Sequence, residues 1–130
     1  QGDAGESYFV APDKLISGNP KQTAWVQHAS PDQRFSAGLW RSEVGKWNIR
    51  YTEDEYCRFL EGCSIISSAD GACVTVRPGD EFVIPRGFVG TWQVVEKTRK
   101  TYVIYESGSA LNEATLDISA KAGASAERGV

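Results

Sequence analysis

The sequence predicts an all-β domain, a sandwich or a closed barrel. Three observations carry this. Short runs rich in Val, Ile, Thr, Tyr, Phe and Trp recur along the chain. Turn signals separate them, at Gly18-Asn19-Pro20, Ser30-Pro31-Asp32, Asp70-Gly71, Pro78-Gly79-Asp80 and Pro85-Arg86-Gly87. No window sustains the 3.6-residue period of an amphipathic helix.

Taken in order, residues 1–22 read as an N-terminal arm, with one turn of helix near 12–17. Residues 23–106 read as the barrel. Strands are expected at 24–28, 36–42, 47–51, 56–61, 64–67, 73–76, 81–84, 91–95 and 101–105. Asp70-Gly71 lies between "CSIISSA" and "ACVTV" and predicts a tight hairpin, because that turn wants positive φ at its centre. Residues 107–130 read as a tail, rich in Ala, Ser and Gly. Within it "EATLDIS" adds one edge strand and "AKAGASAERGV" is flexible.

Composition narrows the function. A chain of 130 residues is one domain with room for a core. Its formal net charge is -3 and no basic cluster interleaves with aromatics, so nucleic acid is not expected as a partner. No apolar run approaches the ~20 residues that span a bilayer, so no membrane partner is expected either. "QGDAGESYFVAPDK" lacks the basic and apolar stretches of a signal peptide. Cys57, Cys63 and Cys73 are odd in number and form no CxxC. Both points favour reduced thiols and a cytoplasmic location.

Two spacings stand out. In "GDEFVIPRGFVGTWQVVE", Gly79 is followed by five residues, Pro85, one residue and Gly87. In "EYCRFLEG", Glu55 is followed by six residues and Gly62. Together these resemble the two motifs of the cupin superfamily, and the resemblance implies a jelly-roll β-barrel. "RYTEDEYCRFLEG", "RKTYVIYE" and "GLWRSEVGKWNIRY" look like the small single-domain cupins of the ureidoglycine aminohydrolase-like or ethanolamine-utilisation-like group. That group implies a homodimer and a small nitrogenous ligand.

Metal-binding members of the superfamily carry a His-x-His pair before the glutamate and a histidine three residues after the second glycine. Here the pair falls on Ile49 and Tyr51, or on Asn48 and Arg50, and the last histidine is Gly90. Only Glu55 matches. One carboxylate does not hold a transition metal, so no cofactor is expected. The alternative is a metal held by Glu55 with His28, Tyr51 or Cys57.

Strand alternation then selects the inward side chains. From the first motif these are Tyr51, Glu55, Cys57 and Phe59; from the second, Gly90, Trp92 and Val94; from the last strand, Lys100 and Tyr102. Trp40 and Trp47 either close the mouth or pack a second chain. If the pocket is catalytic, Glu55 is the general acid or base, and Tyr51 and Lys100 orient the substrate. Trp47, Cys57, Phe59, Trp92 and Tyr102 are the expected ligand-binding residues. A dimeric, non-catalytic accessory or sensor protein is the rival reading, and it expects Trp92 and Phe59 to plug the pocket.

Overall fold

The computed structural model describes residues 5–107, and every regular element among them is a strand. The strands are β1 (Glu6–Phe9), β2 (Leu15–Gly18), β3 (Lys21–Ala29), β4 (Phe35–Ser42), β5 (Gly45–Arg50), β6 (Asp54–Ser68), β7 (Cys73–Val76), β8 (Glu81–Ile84) and β9 (Val89–Tyr105). All pairings are antiparallel. The architecture is the predicted all-β jelly roll, a curled antiparallel sheet.

Two long strands organise it. β6 and β9 pair along nearly their whole length, from Asp54 opposite Tyr105 to Ser68 opposite Gly90. The register shifts between Phe59 and Ser64, around Gly62, and there the pair bends. Beyond the bend each half joins different neighbours. The C-terminal half of β9 pairs with β4, which leads outward through β3 to β1. The N-terminal half pairs with β5, which leads to β2. On the other side β6 takes β8 near its start and β7 near its end.

The sequence divided each of these long strands in two. The polar run "EKTR" before Lys100 falls between two expected strands, yet it continues β9 because β6 and β4 supply partners for its backbone. The buried Thr98 hydroxyl bonds Ser64 Oγ at 2.7 Å and the Glu96 carbonyl at 2.8 Å. No helix forms at 12–17. Lys14 and Leu15 donate their N–H groups back to the Ala11 and Pro12 carbonyls in a turn, and β2 follows. The Asp70-Gly71 hairpin is present between β6 and β7, with the Gly71 N–H donating to the Ser68 carbonyl at 3.0 Å. The expected edge strand and flexible end of the tail lie outside the described residues.

The core lies between the halves of the curled sheet. Phe59, Phe82, Phe88, Trp92, Ile66, Ile84, Val76 and Val94 are all buried there. No helix among the described residues is long and apolar enough to cross a membrane.

Candidate functional site

A cavity of about 290 Å³ opens at one end of the barrel. Glu55 from β6 and Lys100 from β9 stand in its wall, only 5% and 4% exposed. Lys100 Nζ donates to Glu55 Oε2 at 2.8 Å. The Tyr51 hydroxyl donates to the other carboxylate oxygen, Oε1, at 2.6 Å. Cys57 Sγ accepts from the same ammonium at 3.4 Å. The cation also lies over two indole faces, 4.7 Å from the ring centre of Trp40 and 4.4 Å from that of Trp92.

Strand register builds this arrangement. Trp40 on β4 and Phe59 on β6 both pair with Lys100. Cys57 pairs with Tyr102, and Glu55 with Ile104. One inward row therefore carries glutamate and cysteine, and the facing row carries lysine and tyrosine. Trp47 and Trp92 are direct cross-strand partners on β5 and β9, and their rings stack at 5° with centres 6.4 Å apart. Trp40 meets Trp92 edge-on at 5.4 Å and gives its indole N–H to Gln22 Oε1 at 3.0 Å.

Burial and charge set the protonation states. Burial works against the Lys100 ammonium, but the Glu55 carboxylate, together with the hydrogen bond to Cys57 Sγ, outweighs it and holds its pKa above the ordinary lysine value. Burial, then the Glu55 charge, pushes the Cys57 thiol far up. Tyr51 is raised well above the ordinary phenol, by burial first and Glu55 second. The Lys100–Glu55 ion pair is thus capped by a neutral phenol and a neutral thiol.

The expected residues divide into two sets. Tyr51, Glu55, Lys100, Trp47, Trp92 and Tyr102 all line the cavity. Cys57 and Phe59 do not. Cys57 is fully buried and touches the cavity's chemistry only through Lys100. Phe59 packs against Phe82 and Trp92 in the core. Trp92 forms a wall and does not plug the space. Trp40 and Trp47 are buried beside the cavity.

Gly90 is buried, on the same parity as Trp92 and Val94, but it has no room for a side chain. A Cβ placed there would stand 1.9 Å from the Ser67 carbonyl oxygen and 3.0 Å from the Phe88 ring. The close approach of β6 and β9 excludes a histidine at this position.

Three polar wall residues escaped the reading of the sequence. Tyr8 comes from β1, inside what reads as an arm. Its signal was present: "SYFV" is a β-prone aromatic run between Gly5 and Pro12. Gln22 comes from β3, as the last residue of what reads as the arm. Glu53 sits in the connection before β6, where "TEDE" reads as a solvated turn.

The donor set does not fit a transition metal. The one carboxylate deep in the cavity already binds an ammonium and a phenol. His28 is exposed on β3 beside Phe35 and does not line the cavity. Among the described residues no group of three or more His, Cys, Asp or Glu side chains gathers around one point.

A second cavity of about 320 Å³ adjoins the first. The two share Tyr8, Gln22, Trp47, Ile49, Tyr51 and Glu53. Residues Tyr8 to Ala11 and Lys14 form its outer wall.

Comparison with known proteins gives a family and a fold. The model of the EutQ-like cupin domain matches residues 29–102, more than half of the chain. The EutQ protein of Clostridium difficile is similar in structure, with a TM-score of 0.60 and 20% identity over 68% of this chain. A protein assigned as ethanolamine utilization protein Q, from Salmonella typhimurium LT2, has a TM-score of 0.61 and 16% identity. That match covers 82% of this chain and 100% of the other. A DUF861-family protein of unknown function from Pseudomonas syringae pv. tomato has a TM-score of 0.67 and 21% identity over 78% of this chain. This chain spans 65% of the Clostridium protein and 45% of the Pseudomonas one. No curated protein sequence matches.

Proposed function

This chain belongs to the EutQ-like cupin domain family, and from that premise we propose that its barrel binds a small nitrogenous metabolite without a metal ion. One observation carries the reading. The cation on Glu55 is the chain's own: Lys100 Nζ lies 2.8 Å from Oε2, against Cys57 and over two indole rings. A buried carboxylate needs a positive partner, and here a side chain provides it.

The rest of the cavity suits a small organic ligand. Its walls are largely aromatic, with a few polar groups converging on one end, and its volume falls at the small end of ligand sites. The Tyr8 and Tyr102 phenols and the Gln22 amide supply donors and acceptors opposite Glu55 and Tyr51. In a catalytic version, Glu55 takes or gives the proton at Oε1, exchanging its bond to Tyr51 for one to the ligand, while Lys100 holds Oε2. The ethanolamine-utilisation name of the Salmonella neighbour motivates amines as candidates, and the resemblance of the motifs to ureidoglycine aminohydrolase-like cupins motivates ureides. The expected homodimer and cytoplasmic setting belong to this same reading.

A thermal-shift screen of amines, ureides and amino acids tests it, with Glu55→Gln as the control. The expected result is a ligand that raises the wild-type midpoint and not the variant's. A screen that shifts nothing removes the proposal. A stoichiometric transition metal in protein purified without chelator would overturn its metal-free part.

A further inference from the structure

Gln22 on β3 is only 6% exposed, and it lines both cavities. Its amide oxygen accepts the Trp40 indole N–H at 3.0 Å. An indole N–H only donates, so the atom it meets is oxygen, and the orientation of the whole amide follows. The amide nitrogen, Nε2, is then the end left over. Its N–H groups donate to no other described residue. Nor is it sealed into the protein without a partner, as the Trp92 indole nitrogen is. The Gln22 nitrogen therefore reaches the open space of the cavity.

Strand pairing holds it there. Trp40 on β4 is the partner of Ala24, two residues along β3 from Gln22, so the two side chains meet diagonally on one face. Both ends of the amide hang on one carbon. Nε2 thus stands beside the inner chamber, which Trp40 lines, while Trp40 does not line the outer one. Lys100 is the one cation among the described residues lining the inner chamber, and it is paired with Glu55. Lys14 and Arg50 line the outer chamber alone. The inner chamber therefore presents a neutral N–H donor with no uncommitted positive charge beside it. An anion there would share the space with Glu53 and Glu55.

We propose that Gln22 sets the ligand class of the barrel: its Nε2 donates to a neutral carbonyl oxygen, of the amide or urea kind, in the inner chamber. This rests on the reading of the barrel as a pocket for a small nitrogenous metabolite, and it names the kind of metabolite. Trp40 is the positioning residue. If the amide turned over, Nε2 would meet the indole N–H, donor against donor. The lock keeps a donor and not an acceptor toward the ligand. A ligand without a carbonyl strips water from Nε2 and returns no hydrogen bond, so it is discriminated against.

The test is an NMR titration of the full chain, nitrogen-labelled, at constant ionic strength. The probe is N,N-dimethylacetamide, which carries a carbonyl and no N–H. Isobutyrate replaces that carbonyl by a charged acceptor, and N,N-dimethylethylammonium removes it. The amide should bind and move the Gln22 side-chain signals, and the other two should bind at least about tenfold more weakly. Gln22→Glu keeps an oxygen for Trp40 and loses the donor. It should weaken the amide about tenfold while the Trp40 indole signal stays in place. An amide that binds Gln22→Glu as well as wild type overturns the proposal, and so does an anion or ammonium that matches the amide. Binding to wild type with the Gln22 signals unmoved overturns it without any variant. In each of these cases the pocket reading survives. If wild type binds none of the three, both fail together.

Discussion

Trp40 and Lys100 face each other across β4 and β9, and the lysine ammonium lies 4.7 Å from the centre of the tryptophan ring. With Trp92 on its other side, the charge is enclosed by two indoles, a carboxylate and a thiol. The barrel therefore carries a nearly buried cation in the wall of its cavity. The following expectations come from that enclosure and from the strands that create it.

Removing one member of the pair should be costly and removing both much less so. Lys100→Met leaves Glu55 buried without a positive partner, which costs about 3–5 kcal/mol. The double variant Glu55→Leu with Lys100→Met removes both charges and should recover most of that loss. Urea unfolding of the three proteins measures this. If the double variant is no more stable than the Lys100 variant, the pair is not the dominant electrostatic term here.

Alkaline pH should unfold the protein from a defined starting point. Cys57, Tyr51 and Lys100 all have pKa values raised by the fold. The folded state therefore holds protons that the unfolded chain releases. The associated stability is complete below the ordinary values and is lost as pH rises through the raised ones. The ordinary values are 9.0 for the thiol, 10.0 for the phenol and 10.5 for the ammonium, so Cys57 acts first. The urea midpoint should fall from about pH 9 upward. Cys57→Ser should delay the decline by about one pH unit.

The three thiols should react in order of exposure. Cys73 is exposed, Cys63 is partly covered and Cys57 is buried with a raised pKa. A thiolate is the reactive species, so burial and neutral state both protect Cys57. Titration with a disulfide reagent at pH 8 should show two accessible thiols in the native protein and three in denaturant. Rapid labelling of Cys57 in the folded protein would contradict the described packing.

Gly90→Ala should disrupt the barrel even though it adds a single methyl group. The Ser67 carbonyl stands 1.9 Å from the site of that methyl, and it belongs to backbone that cannot turn aside. The expected loss is at least about 3 kcal/mol. Gly90→His, which would restore the superfamily's histidine, should be worse still. A histidine variant that folds and binds zinc would show that the strands can separate.

Much of this protein was determined by sequence alone. Turn residues and short β-prone runs specify an all-β chain, because a chain without helical periodicity and with frequent Gly and Pro breaks has few other ways to bury its apolar residues. The motif glycines are legible for a backbone reason: Gly79 and Gly87 sit at φ of 96° and 93°, where other residues are strained. Alternation along β6 and β9 correctly turned Glu55, Lys100 and Tyr102 inward, since the period of a strand is local. Tertiary structure decided what that period cannot reach. Whether "EKTR" is a loop or a strand depends on partners distant in sequence. Lys100 meets Glu55, Cys57 and two tryptophans only because three strands, β4, β6 and β9, converge. Tyr8 and Glu53 enter the site because β1 pairs with β3 and because the connection before β6 lies at the cavity mouth. Register and convergence are properties of pairs of strands, and a single strand's residues do not contain them.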